Sequence, residues 1–292
     1  MQRVLFDHIA IGVPAIGDTL PFLVGELGGR PAGGGLTRAF AFRQWHFGAG
    51  KLEVLEPAGA PGGFMHRFLD RRGPGVHHVT FEVPDIDAVC AKAESMGFAV
   101  VERDDSDPEW SEAFLHPKTS MSIVVQIVQV RRAATGVPEP SIVEPEPGDP
   151  DPGALGIELI GLRLEAKRLA RARELWCELL AGHGRVMGGE LEVRWPGSPM
   201  RLVVRRSGAD GGEGPLAIEI ACLRPVLVPV GHHPVLGAAF ETVDITELQP
   251  PAAFDGRTPS SAAPESPAGD SSVDDSYFLD PDALELEDQE RS

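Results

Sequence analysis

No stretch of this 292-residue chain is apolar over the ~18 residues that a helix needs to cross a bilayer, which excludes a helical membrane span. The start, Met1-Gln2-Arg3-Val4-Leu5-Phe6, has no basic segment followed by an apolar one and a cleavage site. Export is therefore not expected, and a cytoplasmic location is. Cysteine is scarce. Cys90, Cys177 and Cys222 are odd in number, far apart and set among apolar residues, which predicts reduced core thiols and no disulfide framework. There is no G-x-S-x-G, no P-loop lysine motif and no dinucleotide glycine fingerprint followed by an acid. Gly33-Gly34-Gly35 and Gly211-Gly212 open no predicted helix and read as loops.

Basic residues are also few: 26 Lys and Arg against 44 Asp and Glu, for a net charge of −18. The imbalance is local. Residues 136–153 hold five acids and no base, and residues 251–292 hold eleven acids and two bases. The rest is near neutral, so neither nucleic acid nor a membrane is an expected partner.

What is present is a repeat. Asp7-His8-Ile9-Ala10-Ile11-Gly12-Val13-Pro14 returns as His77-His78-Val79-Thr80-Phe81-Glu82-Val83-Pro84. Leu52-Glu53-Val54-Leu55-Glu56-Pro57 returns as Val125-Gln126-Ile127-Val128-Gln129-Val130. Apolar positions Leu20, Leu23, Val24 and Leu27 share one helix face, and Gly28-Gly29 ends it; Ile86, Val89, Cys90, Ala93 and Met96 do the same after the cap Asp85 and before Gly97. Period-two alternation over 38–47 marks a strand. Each half thus reads β-α-β-β-β.

The expected fold class is α+β: paired βαβββ modules forming a half-barrel cup over residues 1–132, a Pro- and acid-rich linker over 133–155, a third degenerate βαβββ module over 156–225, an irregular extension over 226–249 and a disordered acidic tail over 250–292. In the third module the strands are predicted at 157–164, 191–195, 200–205 and 216–223 around a helix at 169–180. Matching helix ends puts Gly161 at the place of His8 and Glu219 near the place of Glu53, and no fourth copy is expected.

Each half of the cup contributes one histidine and one oxygen-bearing side chain. His8, Glu53, His78 and Gln126 are therefore the candidate ligands of a divalent metal, with Zn, Co, Ni, Mn and Fe all admissible. One carboxylate leaves a bound divalent ion with net positive charge, able to polarise a carbonyl. Strand alternation sends His77 to the opposite face from His78, as a structural or supporting group. Glu56 and Gln129 are expected to face solvent. His46 either lines the cup or faces solvent, His116 fixes a turn, and His232-His233 have no third ligand nearby.

The stretches FDHIAIGVPAI, KLEVLEP, GPGVHHVTFEVPDIDAV and FLHPK…SIVVQIVQ resemble the vicinal oxygen chelate superfamily, which includes glyoxalase I, methylmalonyl-CoA epimerase and extradiol dioxygenases. The last three are most similar to the methylmalonyl-CoA epimerase pattern. The resemblance implies paired βαβββ modules and a divalent metal, and it places His8, Glu53, His78 and Gln126 on the metal-ligand positions. Two departures stand out. Epimerase-like relatives have Gln where Glu53 stands and Glu where Gln126 stands, and their second base aligns with Thr37. Neither Gln126 nor Thr37 can accept a proton at neutral pH. The candidate catalytic residues are then Glu53, moving between metal and proton, and His46. The resulting expectation is a metal-dependent isomerase or epimerase acting through a metal-stabilised enolate on a carbonyl or acyl-CoA substrate. The alternatives are an Fe(II) ring-cleaving dioxygenase and a non-catalytic binder of a small molecule. A half-cup leaves an apolar face wanting a partner, so the third module could serve a homodimer.

Overall fold

The computed structural model describes residues 3–131, 156–209, 211–222 and 224–244. The linker and acidic tail lie outside the described residues, as does the end of the extension. The first module runs β1 (Leu5–Gly12), a 3-10 turn (Ile16–Thr19), a π-helical turn (Pro21–Glu26), β2 (Arg30–Leu36), β3 (Phe40–Phe47) and β4 (Gly50–Pro57). Helix α1 (Phe64–Arg72) leads to the second module: β5 (Gly75–Glu82), α2 (Ile86–Ser95), β6 (Val100–Asp104), β7 (Trp110–Leu115) and β8 (Val124–Val130). The Asp85 side chain accepts from Ala88 N and starts α2. The eight strands form one sheet in the order β2-β3-β4-β1-β5-β8-β7-β6. The modules meet where β1 and β5 run antiparallel, and each pairs parallel with the last strand of its own module. This is the two-module arrangement read from the repeat.

Three local expectations are corrected. Gly33-Gly34-Gly35 are not loop but lie in edge strand β2, where the Phe42 and Arg43 side chains lie over Gly35 and Gly34. Glu56 and Gln129 do not simply face solvent. Glu56 accepts from Ile16 N at 2.5 Å and Gln129 from Ile86 N at 3.1 Å, so each ties down the helical start of its own module.

The second sheet holds β9 (Ile157–Ala166), β10 (His183–Met187), β11 (Glu190–Arg194), β12 (Arg201–Arg206), β13 (Gly214–Cys222) and β14 (Phe240–Val243). Between β9 and β10 lie α3 (Leu169–Arg173) and a π-helical turn (Glu174–Leu179). The strand order is β10-β11-β12-β9-β13-β14. The third module therefore closes with β12, not with the strand at β13. Strand β13 runs antiparallel to β9, as β5 does to β1, and β14 runs parallel to β13, as β8 does to β5. They are the first and last strands of a fourth module. Sequence periodicity missed it because the intervening helix and two strands are gone.

The backs of the two sheets share one core. Phe6 and Phe81 stack at 4.9 Å, Trp195 lies 5.7 and 4.8 Å from them, and Trp176 lies 5.8 Å from Phe81. All four are buried, each contributing about 1.5–3 kcal/mol or more of apolar transfer. The Trp195 indole donates to Leu180 O at 2.7 Å, and Ser198 Oγ donates to Phe6 O at 2.7 Å across the joint. The apolar face expected to need a partner is thus covered within the chain. On the opposite, concave face of the first sheet, α1 lays Phe64 and Met65 over Ala10 and Leu55. Its close approach needs Gly12: a Cβ there would stand 2.7 Å from Phe68 Cε1 and 2.9 Å from Met65 Cε. No helix among the described residues is long and apolar enough to cross a membrane.

Candidate metal centre

Two β-bulges shape the centre of the cup. Phe6 pairs with Phe81 and His8 with Thr80, so Asp7 is an extra residue on β1. Ala10 pairs with His78 and Ile11 with Val76, so His77 is an extra residue on β5. The bulge cancels the alternation that predicted opposite faces for His77 and His78. Instead His77 Nδ1 lies 2.9 Å from His78 Nδ1, and His8 Nδ1 lies 2.6 Å from Asp7 Oδ2. Each histidine is gripped at Nδ1 by the residue before it, which leaves Nε2 to face inward.

Inward, the structure brings three of the four expected ligands together. Single ligand atoms of His8, Glu53 and His78 all lie within 4.8 Å of one another. Glu53 Oε1 is 3.6 Å from His8 Nε2 and 3.8 Å from His78 Nε2. The other oxygen, Oε2, accepts from Gln44 Nε2 at 2.7 Å, since Gln44 is paired opposite Glu53 on β3. Gln126 joins through a relay. Thr80 Oγ1 lies 2.9 Å from His8 Nε2 and donates to Gln126 Oε1 at 2.6 Å. Gln126 Nε2 donates to Glu112 Oε2 at 2.7 Å, and that oxygen also accepts from Trp110 Nε1 at 3.1 Å. His8, Glu53 and His78 are 4%, 7% and 5% exposed.

The charges follow from these contacts. Burial alone would raise the Glu53 carboxyl, but the His8 charge and hydrogen bond, then His78 and Gln44, hold it down at about 2. Burial would lower His8, yet Glu53 and Asp7 lift it to about 9. His8 is therefore an imidazolium, donating from Nε2 to Thr80 and from Nδ1 to Asp7. Asp7 is held well below the usual carboxylate range against its own burial by Lys51, at 2.8 Å, and His8. Burial lowers His78 strongly, with His77 and His8 adding to it and Glu53 and Gln126 opposing. Burial also takes His77 down to about 4.

A divalent metal fits these residues. His78 Nε2 is buried, faces Glu53 and has no hydrogen-bond partner, a state that costs about 1–3 kcal/mol if nothing occupies it. Two donors each about 2.1 Å from one tetrahedral ion stand about 3.4 Å apart, close to the separations found. Two imidazoles and a carboxylate suit Zn, Co, Ni, Mn or Fe.

The second sheet carries the same bulges, with Ile160 and Leu216 as the extra residues, but not the same site. By register Gly161 stands for His8, Ala217 for His78, Val203 for Glu53 and Glu241 for Gln126. Glu219 takes the place of Thr80, which corrects its expected match to Glu53. Glu219 accepts from Arg201 Nε at 2.8 Å and from Arg163 NH1 at 3.2 Å; Arg163 also reaches Glu190 at 2.5 Å and Arg201 reaches Glu192 at 3.0 Å. A lattice of ion pairs fills the space where the first sheet gathers donors.

Residues 7–114 match the family described as the Glyoxalase/Bleomycin resistance protein/Dioxygenase superfamily. The likeness lies within the first sheet. A hypothetical protein from Staphylococcus aureus has the same fold over 83% of this chain and 100% of its own, at 11% identity and a TM-score of 0.56. A hypothetical protein from Bacillus halodurans C-125 is 26% identical over 46% of this chain and 99% of its own, with a TM-score of 0.42. Methylmalonyl-CoA epimerase from Mycobacterium tuberculosis is 21% identical over 44% of this chain and 88% of its own, with a TM-score of 0.40. No curated protein matches the chain.

Other sites read from the sequence fall into place. His46 is half-buried on the cup face, opposite Lys51 and two positions from Gln44, outside the His8–Glu53–His78 group. Burial, Lys51 and Arg30 lower its pKa. Thr37 caps the β2–β3 hairpin, accepting from Phe40 N at 3.0 Å, and is no base. His116 and His233 fix turns by accepting backbone N–H groups. The sequence reading missed Asp7, Gln44, Thr80 and Glu112. Gln44 and Thr80 carried a usable signal, being one strand across from Glu53 and two positions on from His78.

Proposed function

We propose that this chain is a metal-dependent isomerase or epimerase that moves a proton on the carbon beside a carbonyl or acyl thioester. The observation that carries the reading is the partnerless, buried His78 Nε2 facing the Glu53 carboxylate and His8 in a superfamily cup. His8, Glu53 and His78 would hold the ion, with Gln126 Oε1 as the fourth donor. A divalent ion there supplies positive charge against a carbonyl oxygen and acidifies the neighbouring C–H.

The side chains divide the remaining work. Gln44 fixes which oxygen of Glu53 faces inward. Asp7 and His77 aim the two imidazoles. The apolar side of α1 over Ala10 and Leu55 keeps water from that part of the cup. Glu53, with its low pKa and three partners, is a poor proton acceptor, and His46 sits toward Lys51 and Asp7. Glu112 suits the role better. It stands on β7 beside Gln126, burial raises its pKa, and only its Oε2 is engaged by Gln126 and Trp110.

Metal analysis of the wild type against His8→Ala and His78→Ala tests the site, and unchanged metal in both variants refutes it. Deuterium uptake from solvent into an acyl thioester tests the reaction. Glu112→Gln should keep its metal and lose ~100-fold or more of that exchange. A second reading, oxygen chemistry on a catechol-like substrate, draws on the two-histidine, one-carboxylate set, which also suits iron(II). Oxygen uptake by iron-loaded protein, without deuterium exchange, would favour it. A binder would do neither, yet gain thermal stability from its ligand.

A further inference from the structure

Resting on that reading of the metal centre, we propose that its substrate is an anion whose acid group docks away from the metal, between α1 and the segment 117–124. A cleft of about 40 Å³ opens there, lined among others by Arg67, Arg71, Arg72, His77, Ser122 and Val124. That volume holds a few water molecules, hence one carboxylate or phosphoryl group.

Three features make the cleft more than a basic helix end. First, the described residues of its lining include three guanidinium groups. Arg71 and Arg72 also lie in the last turn of α1, where cations suit the helix dipole. That role needs only exposure to solvent; it does not need Arg67 one turn earlier to face the same hollow. Second, the cleft is braced. Arg72 NH1 lies 3.5 Å from Ser122 O, Arg67 NH1 donates to Gly62 O at 2.5 Å, and Phe68 packs edge-on against His77 with centroids 4.7 Å apart. Third, it adjoins the centre. His77 lines the cleft and touches His78, and Val124, also in the lining, pairs with His78 across the strands. The His77 ring thus stands between the cleft and the His78 donor. Guanidinium forks match carboxylate and phosphoryl oxygens two at a time. The geometry thus selects a carbonyl compound with a second, negatively charged end.

The test uses the full chain as purified, titrated calorimetrically with inorganic phosphate and with succinate at constant ionic strength, against the double variant Arg71→Gln/Arg72→Gln. Both arginines are exposed, so the variant should fold and keep wild-type metal content. The expected result is saturable binding of one anion per chain, weakened about tenfold or more in the variant. The tighter of the two anions tells a phosphoryl from a carboxylate substrate. Equal affinity in the two proteins, or a response that chloride reproduces, overturns the proposal. Metal content is read separately: anion binding through the arginines in a protein that holds no metal would sink the metal reading and keep the cleft.

Discussion

The rings of His77 and His78 are neighbours in sequence and stand on the same side of one strand, their Nδ1 atoms 2.9 Å apart and their planes at 83°. With both rings neutral, one Nδ1 donates and the other accepts. If His78 donates, its Nε2 lone pair is turned toward Glu53. His77 is then the counterpart of Asp7, which does the same for His8. His77→Leu keeps the packing against Phe68 and removes the acceptor. Metal affinity should fall by about 10–100-fold with the fold intact, as measured by competition with a chelator. An unchanged affinity would reduce His77 to packing alone.

Metal uptake should release a proton. His8 is charged up to about pH 9 in the metal-free protein and must lose its Nε2 proton to bind an ion. Apparent affinity should therefore climb about tenfold per pH unit through neutrality, and calorimetry in buffers of different ionisation enthalpy should count one proton per ion. The metal-free protein carries the opposite dependence. His8 is raised from 6.5 to about 9, so its stabilisation is complete below pH 6.5 and lost as pH rises through 9. Glu53 is lowered from 4.5 to about 2, so its stabilisation is complete above pH 4.5 and lost as pH falls through 2. This pair supports the metal-free fold best between those two unperturbed values. Affinity that ignores pH across neutrality would contradict a charged His8.

Gly12→Ala should push α1 off the cup. The added methyl would overlap the Phe68 ring and the Met65 terminus, a conflict worth about 1–3 kcal/mol in urea unfolding. Phe68→Ala in the same chain should recover part of the loss, because the two changes share one contact. A fully additive double variant would mean that α1 does not rest on Gly12.

Glu219→Ala should be the most damaging single change in the second sheet. Glu219 is 0% exposed and sits between Arg163 and Arg201, so its removal takes from both guanidinium groups the one fully buried carboxylate they share, at a cost of about 3–5 kcal/mol. Metal content should not change, since the donors belong to the other sheet. A loss below about 1 kcal/mol would show that the remaining glutamates take up the slack.

The paired modules and three of the four inward side chains were legible in the sequence because a seventy-residue repeat copies strand periodicity, and strands carry side chains to a shared face. What stayed hidden depends on register. The bulges at Asp7 and His77 each turn one residue to the opposite face, which no alternation rule foresees. Glu112 lies outside the repeated segments and reaches the site only because β7 pairs with β8. The fourth module was hidden because β13 and β14 are its only strands, separated by an irregular stretch that replaces the rest. Glu56 and Gln129 looked like surface residues because their partners are backbone N–H groups of other segments.

Gly161 has a φ of +154°, and a Cβ on it would lie 1.9 Å from the Arg201 carbonyl oxygen. Restoring a histidine there would mean rebuilding two strands, not changing one codon. Among the described residues, the one group of histidines and carboxylates placed to hold an ion therefore stays in the first sheet.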